Sequence, residues 1–455
     1  MLVDALRARP AGLDEALALV DGLDDTLLHG LARIDEERDA ALTSLAEAFA
    51  GSPLADRLSD SVGKIIGGTV TDEHLVALAG ARTALLGAAH DGLLAGIDTG
   101  LGRPRDSWSA AAVPAQAHHV SAAARSWLRE LAIAGWRGVD HELADGAAQA
   151  VQALVADPST RRLAVLLDGF AAELRSAAPV GTRQRIPVRR WADLWARALL
   201  LSQDDLVGYE PSSVDGRLLI LGVDLHEHPT VFRAQAHGLL ETDGGEVRLV
   251  RVSVGGPKVD TITGPSAWRI LAPFPVFRAV LAERRTVEVS AMPLTPGGDL
   301  IWHESRAVAG EPADPFVTAR VRLGAALGPS APPLDRHPAA IAEPVLLEGY
   351  TAGQASFDLG GTVVPVDLDR LPSAGPLTPA LVAASTACLG LLRWDGGRWA
   401  LQPLAVQALV KKKPVTVGTG DWALGPTEPA AAKAEAVAGT AVDVLRERAG
   451  RLLRK

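Results

Sequence analysis

The spacing of apolar residues changes once along this 455-residue chain, and the change limits the folds that the chain can adopt. Before Ser202, apolar residues recur three and four positions apart, which is the spacing of one helical face. From the stretch Leu218–Val254 onward, they come in short alternating runs broken by glycine pairs. The sequence therefore predicts an α+β fold, with an all-helical N-terminal half followed by an antiparallel β-rich half.

Several signals divide the first half into separate amphipathic helices. An early run with helical spacing ends at Gly51–Pro53, because proline cannot continue a helix. Thr71 or Asp72 is expected to cap a further helix. Trp191 and Trp195 lie four residues apart and therefore on one helical face, so we expect them to pack the helical half onto its neighbour.

Four glycine pairs punctuate the second half, each flanked by strand-like residues. They lie in Asp243–Glu246, Pro296–Asp299, Leu359–Thr362 and Asp395–Arg398. Because glycine readily adopts the positive φ angles that tight hairpin turns need, each pair predicts a hairpin. The pairs also suggest two related β units, at residues 217–308 and 342–409.

The expected domain boundaries follow from these patterns. A helical domain is expected over residues 1–205, with a candidate linker near 96–106, where glycine, proline and charged residues are frequent. The β-rich domain is expected over residues 206–425. Residues 426–455 contain strong helix formers and end in a basic turn, which predicts a C-terminal helix.

Charge and cysteine content exclude several classes of protein. The formal net charge is −9, whereas a protein that binds duplex nucleic acid usually presents a basic domain to the phosphates. The single cysteine, Cys388, allows no intrachain disulfide and no thiolate-rich metal site, and its apolar neighbours predict a buried thiol. The N-terminus lacks a signal-peptide pattern, so a cytoplasmic location is expected.

One uncharged stretch, residues 373–392, has the length of a membrane span, about 20 residues. Pro376 and Pro379 lie in its first half, and much of the remainder is alanine, serine and threonine. This composition predicts a buried helix that follows a proline-containing loop, and no contact with a membrane is expected.

The one cluster suited to metal chemistry lies at the end of the first strand-like run. His226 and His228 are two residues apart, and such residues point to the same side of a strand. If the chain then pairs back on itself, His237 falls on the polar face, and Asp224 shares the side of His226. Two or three imidazoles with a carboxylate could hold a zinc-type ion. A histidine-rich polar turn needs no metal, so both interpretations remain open.

A second cluster consists of arginines just before and at the start of the helix with the paired tryptophans. Its members are Arg183, Arg185, Arg189 and Arg190. Such a cluster can bind phosphate or an acidic partner. Pairing with some of the 54 acidic residues of the chain is the alternative interpretation.

Motifs of common enzyme classes are missing from the sequence. It contains no phosphate-binding loop of the Walker type, no dinucleotide-binding glycine pattern after a strand, and no nucleophile elbow. The sequence therefore favours a protein that is not an enzyme, and it predicts no cofactor unless the histidine cluster binds metal.

The segment Ser52–Leu94, SPLADRLSDSVGKIIGGTVTDEHLVALAGARTALLGAAHDGLL, resembles part of an uncharacterised actinobacterial family. Members of that family are encoded beside a SWIM zinc-finger protein, a MoxR-type AAA+ ATPase and a von Willebrand factor A domain protein. The resemblance implies an accessory subunit of an ATPase-centred assembly. It includes no catalytic motif and assigns no site residues.

Three hypotheses for function follow. The first is a cytoplasmic scaffold or adaptor that binds other proteins, with a MoxR-type AAA+ ATPase system as the implied partner. The second is a metal-dependent hydrolase built on His226, His228 and His237, with Asp224 in support. The third is a nucleic-acid module that uses the arginine cluster and Lys411–Lys413, and the net negative charge argues against it.

Overall fold

The structure of this protein is a computed structural model that describes residues 2–108, 121–157, 159–203, 210–259 and 261–427, with positions 429, 432, 447 and 448 beyond them. Its order of elements confirms the predicted α+β fold, because helices come first and antiparallel sheets follow. The predicted C-terminal helix at 426–455 lies almost wholly outside the described residues.

Ten of the α-helices in the described residues precede the first strand. They are α1 (Leu2–Arg7), α2 (Leu13–His29), α3 (Glu36–Ala48), α4 (Ala55–Ile66), α5 (Asp72–Leu101), α6 (Ala122–Ala134), α7 (His141–Asp145), α8 (Ala148–Val155), α9 (Arg161–Ala177) and α10 (Val188–Leu201). Thr71 caps α5, since its side-chain oxygen accepts a hydrogen bond from the backbone N–H of His74. Of the two caps that the sequence suggested, the structure therefore uses Thr71.

The second half contains the strands and three further helices. The strands are β1 (Ser212–Glu227), β2 (Val231–Thr242), β3 (Val247–Pro257), β4 (Arg285–Leu294), β5 (Asp299–Leu300), β6 (Ala307–Pro312), β7 (Glu343–Glu348), β8 (Thr351–Ala352), β9 (Ser356–Asp358), β10 (Val363–Pro365), β11 (Ser385–Asp395), β12 (Arg398–Val410) and β13 (Lys413–Gly418). The helices are α11 (Pro275–Ala282), α12 (Pro315–Arg322) and α13 (Pro379–Ala383). Each glycine pair joins antiparallel strands, which confirms the four hairpin predictions.

Aromatic residues fill the core of the helical half. Trp191 and Trp195 on α10 are both buried, and the indole N–H of Trp195 donates to the carbonyl of Leu128 over 2.9 Å. Trp136 packs edge-on against Phe170 and Trp191. The two tryptophans of α10 therefore pack inside the helical half, which corrects the expectation that they join it to its neighbour.

Helix α5 belongs to two hydrophobic cores. In its first part, Leu75 and Leu78 pack with the other helices. In its last part, Leu93 and Ile97 pack with residues of β7, β11 and β12. The helix has 30 residues, which corresponds to a length of about 45 Å. One continuous helix thus ties the helical half to the second half.

Six strands form a sheet that closes on itself. Strand β1 pairs with β2 on one side and with β4 on the other, and β3 and β5 complete the circuit. The register of β1 shifts between Val214 and Gly216 and again between Ile220 and Gly222. Such bulges bend a strand, which allows it to pair with two neighbours along its length.

The remaining strands form separate sheets. One has the order β13-β12-β11-β7, and a small one has the order β10-β9-β8. The two predicted units, 217–308 and 342–409, therefore lie in different sheets, and their relatedness stays a prediction. Helix α12 packs between the larger sheets, where Phe316 lies in one core with Leu219 of β1 and Leu389 of β11.

The candidate linker near 96–106 needs correction. Helix α5 continues through Gly96 and Gly100 and ends at Leu101. Glycine weakens a helix by only about 1 kcal/mol relative to alanine, and burial of Ile97 and its neighbours outweighs that cost. The first six residues of the candidate linker are therefore the last turns of a helix.

The uncharged stretch 373–392 also differs from its prediction. It forms the short helix α13 and then enters strand β11, instead of one buried helix. Consecutive residues of β11 are buried, because both faces of the strand are covered. The sequence of such a strand does not alternate between apolar and polar residues, so its apolar run looks like that of a buried helix. Among the described helices, none combines the length and the apolar character needed to cross a bilayer.

A substitution at Gly222 tests whether the two larger sheets come into close contact at this residue. A Cβ atom at this position would lie 2.7 Å from the Cβ of Leu404 on β12. We expect Gly222→Ala to lower the free energy of unfolding by about 1–3 kcal/mol, because overpacking forces the sheets apart. Urea denaturation followed by circular dichroism measures the change.

Gly96→Ala is the matched control, since a Cβ there meets no atom within 4 Å. It should raise the free energy of unfolding by up to about 1 kcal/mol through helix propensity. If Gly222→Ala proves as stable as the wild type, the close approach of the sheets at this point is wrong.

Candidate functional site

The hairpin of β1 and β2 carries the four predicted metal ligands. Its register pairs Asp224 with Gln235, His226 with Arg233, and Gly222 with His237. Residues that lie opposite each other share a face of the sheet. Asp224, His226 and His237 therefore lie on one face, as the alternation predicted.

The fourth predicted ligand does not join the other three. Strand β1 ends at Glu227, so His228 lies in the exposed turn, where its Nδ1 is 3.1 Å from the hydroxyl of Thr230. Across the described ranges, no three His, Cys, Asp or Glu side chains are arranged to hold a metal ion. The four predicted ligands therefore do not form one group, because β1 ends one residue before His228.

Asp224 is buried against the sheet that contains β11 and β12, and each of its two oxygens accepts a hydrogen bond from that sheet. Its Oδ1 accepts from the amide of Gln402 and its Oδ2 from the guanidinium of Arg393, each over 2.7 Å. Nε2 of His226 lies 3.1 Å from Oδ2. Burial alone would raise the pKa of Asp224, but His226, Arg393 and Gln402 outweigh it and hold the pKa well below its usual range. This carboxylate joins the two sheets.

His237 is enclosed at the same junction between sheets. Burial, with the positive charge of Arg251 on β3, lowers the pKa of His237 to about 3. The ring is therefore neutral at pH 7, and within the described part of the chain its Nε2 has no hydrogen-bonding partner. The neutral imidazole packs between the sheets. Because protonation favours the unfolded chain, in which the ring is exposed, we expect acid to lower the stability of the fold.

The single cysteine is also buried, as predicted. Burial raises the pKa of the Cys388 thiol well above its usual range, so the thiol stays protonated at neutral pH. It lies in the core that α5 shares with the second sheet.

The predicted arginine cluster is largely paired within the chain. Arg183 donates to two carbonyl groups at the end of α9, and Arg185 is exposed. The other two arginines form ion pairs, Arg189 with Asp21 and Arg190 with Glu173. These contacts favour the structural interpretation of the cluster, and binding of an acidic partner there stays a prediction.

A buried arginine outside the predicted sites joins three helices of the helical half. Arg82 on α5 is 1% exposed. Its Nε and Nη2 donate to the two carboxylate oxygens of Asp24 on α2, over 2.6 and 2.9 Å. Its Nη1 donates to Asp193 on α10 over 2.5 Å. Charge-assisted bonds of this kind have a defined geometry, so Arg82 fixes three helices relative to one another.

His337 extends this network into the second half. Its Nδ1 accepts a hydrogen bond from the backbone N–H of Ala339 over 3.0 Å, and its Nε2 lies 3.3 Å from Oδ1 of Asp193. Because Nδ1 is an acceptor, Nε2 carries the proton and donates to Asp193. Burial raises the pKa of Asp193, but the contacts with His337 and Arg82 lower it by more.

A cleft of about 290 Å³ adjoins this network. One wall consists of α5 and α10 with Arg82, Asp193 and Arg197, and the other carries Arg336 and His337. Much of the remaining lining is apolar, including Leu86, Leu194 and Leu334. Small-molecule sites are typically apolar clefts between structural units with a few convergent polar groups. This cleft is therefore the best candidate site in the described residues.

The sequence holds only one signal for this cleft. Arg82 is the one charged residue in an apolar stretch of α5, and a charge in such a place is normally paired. Its partners lie at positions 24 and 193, and the opposite wall begins near 333, so nothing in the local pattern connects them. Sequence reasoning missed the site for that reason.

No family model, curated protein or solved structure that was compared with this chain matches it. The resemblance of residues 52–94 to an actinobacterial family therefore stays a prediction. These residues form α4 and most of α5, so the segment includes Arg82.

Removing Arg82 tests the buried network. We expect Arg82→Ala to lower the free energy of unfolding by about 3–5 kcal/mol, because it leaves Asp24 buried without its cation. The double variant Arg82→Met, Asp24→Leu removes both charges and should recover most of the loss. Urea denaturation measures both changes, and a double variant no more stable than Arg82→Ala would contradict the pairing.

His237 predicts a specific dependence of stability on pH. An unfolded histidine titrates near pH 6.5, whereas folded His237 has a pKa of about 3. As the pH falls below the unfolded value, the unfolded chain binds a proton that the folded chain excludes. Stability should therefore decrease toward pH 3, by up to about 1.4 kcal/mol per pH unit from this residue.

The measurement compares urea midpoints between about pH 6 and pH 4.5, above the range in which most carboxylates titrate. His237→Gln should have a shallower slope than the wild type. His228→Gln, in the exposed turn, should keep the wild-type slope. Equal slopes for His237→Gln and the wild type would show that His237 is not buried in its neutral form.

Proposed function

We propose that the protein is a non-enzymatic cytoplasmic adaptor, an accessory subunit that binds other proteins in an ATPase-centred assembly. The observation that carries the proposal is a surface of the second half in which exposed apolar side chains lie beside three lysines. The resemblance of residues 52–94 supplies the class of partner, a MoxR-type AAA+ ATPase system.

Helix α12 forms one part of this surface. Val317 and Val321 are 54% and 72% exposed, while Phe316 on the opposite side is buried between the two larger sheets. Arg320 lies between the two valines in sequence and donates to Oε1 of Gln407 on β12 over 3.0 Å. The exposed valines of α12 therefore adjoin strand β12.

The end of β12 and its turn into β13 form the other part. Leu409 lies two residues beyond Gln407, on the same face of the strand, and is 58% exposed. Val410 and the lysines Lys411–Lys413 follow and are exposed. Lys411 and Lys412 have φ angles of 50° and 65°, a left-handed conformation that costs about 1–2 kcal/mol per residue outside glycine. Pairing of β12 with β13 holds the turn in this conformation.

We call Val317, Val321, Leu409 and Lys411–Lys413 the α12–β12 surface. Exposed apolar side chains grouped with charges are typical of protein interfaces. The lysines match a partner surface of negative charge, since complementary charge directs association. The overall charge of −9 argues against nucleic acid as the partner. The proposed partner is therefore an acidic protein surface with apolar contacts.

The second hypothesis, a metal-dependent hydrolase, has no geometric support in the described residues. Asp224 is committed to Arg393 and Gln402, and His237 is buried between the sheets. A catalytic metal needs protein ligands whose lone pairs point to one place, and it keeps one coordination position open for water or substrate. These side chains stabilise the junction of the sheets instead.

Copurification tests the adaptor proposal. The full chain, isolated from its native host, should retain a MoxR-type AAA+ ATPase or a protein encoded beside it in stoichiometric amount. The double variant Val321→Asp, Lys411→Glu should reduce recovery of that partner at least about tenfold, because it places a charge in the apolar contact and reverses an attractive one.

Val165→Asp is the matched control. Val165 on α9 is 72% exposed, the same fraction as Val321, and lies outside the α12–β12 surface. This variant should retain the partner in full. The proposal fails if the wild type retains no stoichiometric protein, if Val165→Asp loses the partner to the same extent, or if nucleic acid is recovered in its place.

A further inference from the structure

Two arginines in the cleft retain hydrogen-bond donors after their internal contacts are counted. Arg197 uses its Nη2 for bonds to residues 334–335, and its Nε and Nη1 have no acceptor in the described part of the chain. Arg336 donates through Nε to the carbonyl of Ala331 and through Nη1 to Asp91, and its Nη2 likewise has no described acceptor. Both side chains line the cleft.

Guanidinium groups outnumber carboxylates among the side chains that line the cleft. Three guanidinium groups, of Arg82, Arg197 and Arg336, stand against the single carboxylate of Asp193. His337 is bound through both ring nitrogens and adds no acceptor. The acids that pair with the three arginines from other directions are not part of the lining: Asp24, Asp335 and Asp91.

The rest of the cleft suits the apolar part of a small molecule. Leu86 and Leu194 lie on the helical wall, and Leu334, Ala339 and Ala340 lie on the other. Its volume of about 290 Å³ lies just below the usual range for ligand sites, about 300–1,000 Å³, and therefore suits a small ligand. Guanidinium groups bind carboxylate and phosphate through paired, charge-assisted bonds. The apolar walls and the unused donors of Arg197 and Arg336 together suit a ligand with an apolar body and an anionic group.

We propose that this cleft binds a small organic anion, a compound with a carboxylate or phosphate group on a short apolar body. The anionic group binds Arg197 from the helical half and Arg336 from the second half, and the apolar body packs against Leu86 and Leu194. The bound molecule bridges α10 and the segment 333–340. This site is separate from the α12–β12 surface and goes beyond the adaptor function.

Calorimetric titration of the full chain with three probes tests the proposal, at matched ionic strength so that general screening is constant. The probes are benzoate, phenyl phosphate and inorganic phosphate. We expect saturable binding of benzoate or phenyl phosphate, with a rise in Tm, and the stronger of the two identifies the anionic group as carboxylate or phosphate because both carry the same phenyl ring. Inorganic phosphate should bind more weakly because it lacks the apolar body.

Variants assign the binding to the cleft. Ala340→Phe fills the space at an exposed lining position, leaves every charged group in place and should abolish binding. Arg197→Gln and Arg336→Gln should each weaken binding at least about tenfold. Arg137→Gln is the matched control, since Arg137 is an exposed arginine outside both the cleft and the arginine cluster, and it should leave the affinity unchanged.

The proposal is overturned if neither organic probe binds saturably, or if Ala340→Phe binds them as the wild type does. If Ala340→Phe shifts the unfolding midpoint, the test of the cleft relies on Arg197→Gln and Arg336→Gln. Unchanged affinity in both of these variants would then overturn the proposal. None of these substitutions touches the α12–β12 surface, so their outcome is independent of partner recovery.

Discussion

A guanidinium group buried at Arg82 has to be met by carboxylates, and this requirement fixes how the helices come together. Apolar contacts tolerate small shifts, whereas the bidentate pair with Asp24 has one geometry. Asp193 adds a third bond and is itself held by His337 from the second half. An unpaired charge at this depth would cost several kcal/mol. The arrangement of α2, α5 and α10 therefore depends on a polar contact inside an apolar core.

Ion pairs also connect the C-terminal end of α5 to the second half. Beyond its C-terminal end, Arg103 and Arg105 both bind the carboxylate of Glu343 on β7, and Arg105 also binds Asp98 within the helix. Its apolar residues meanwhile belong to two cores. The boundary near residue 205, predicted from the change in spacing, separates helices from strands, but the core that α5 shares with β7, β11 and β12 crosses it.

Local patterns in the sequence predicted the order of helices and hairpins, but not every element and not the contacts between them. Glycine pairs and alternation predicted the hairpins, including that of β1 and β2, because turn geometry depends on adjacent residues. The prediction of one buried helix at 373–392 was wrong, because a strand buried on both faces has no alternation of apolar and polar residues. The cleft was missed because Arg82, Asp193 and His337 meet only through tertiary packing, which one sequence without relatives does not encode locally.

Hydrogen-bond satisfaction separates the residues that hold the fold from those open to a ligand. Asp224 accepts bonds from Arg393 and Gln402 and lies 3.1 Å from Nε2 of His226, so both of its oxygens already have partners within the fold. In the cleft, Arg197 and Arg336 keep donors without described acceptors, so an anion there adds bonds and breaks none. The histidine motif is the more conspicuous in the sequence, yet Arg197 and Arg336, which line the cleft, are the residues with unused hydrogen-bond donors.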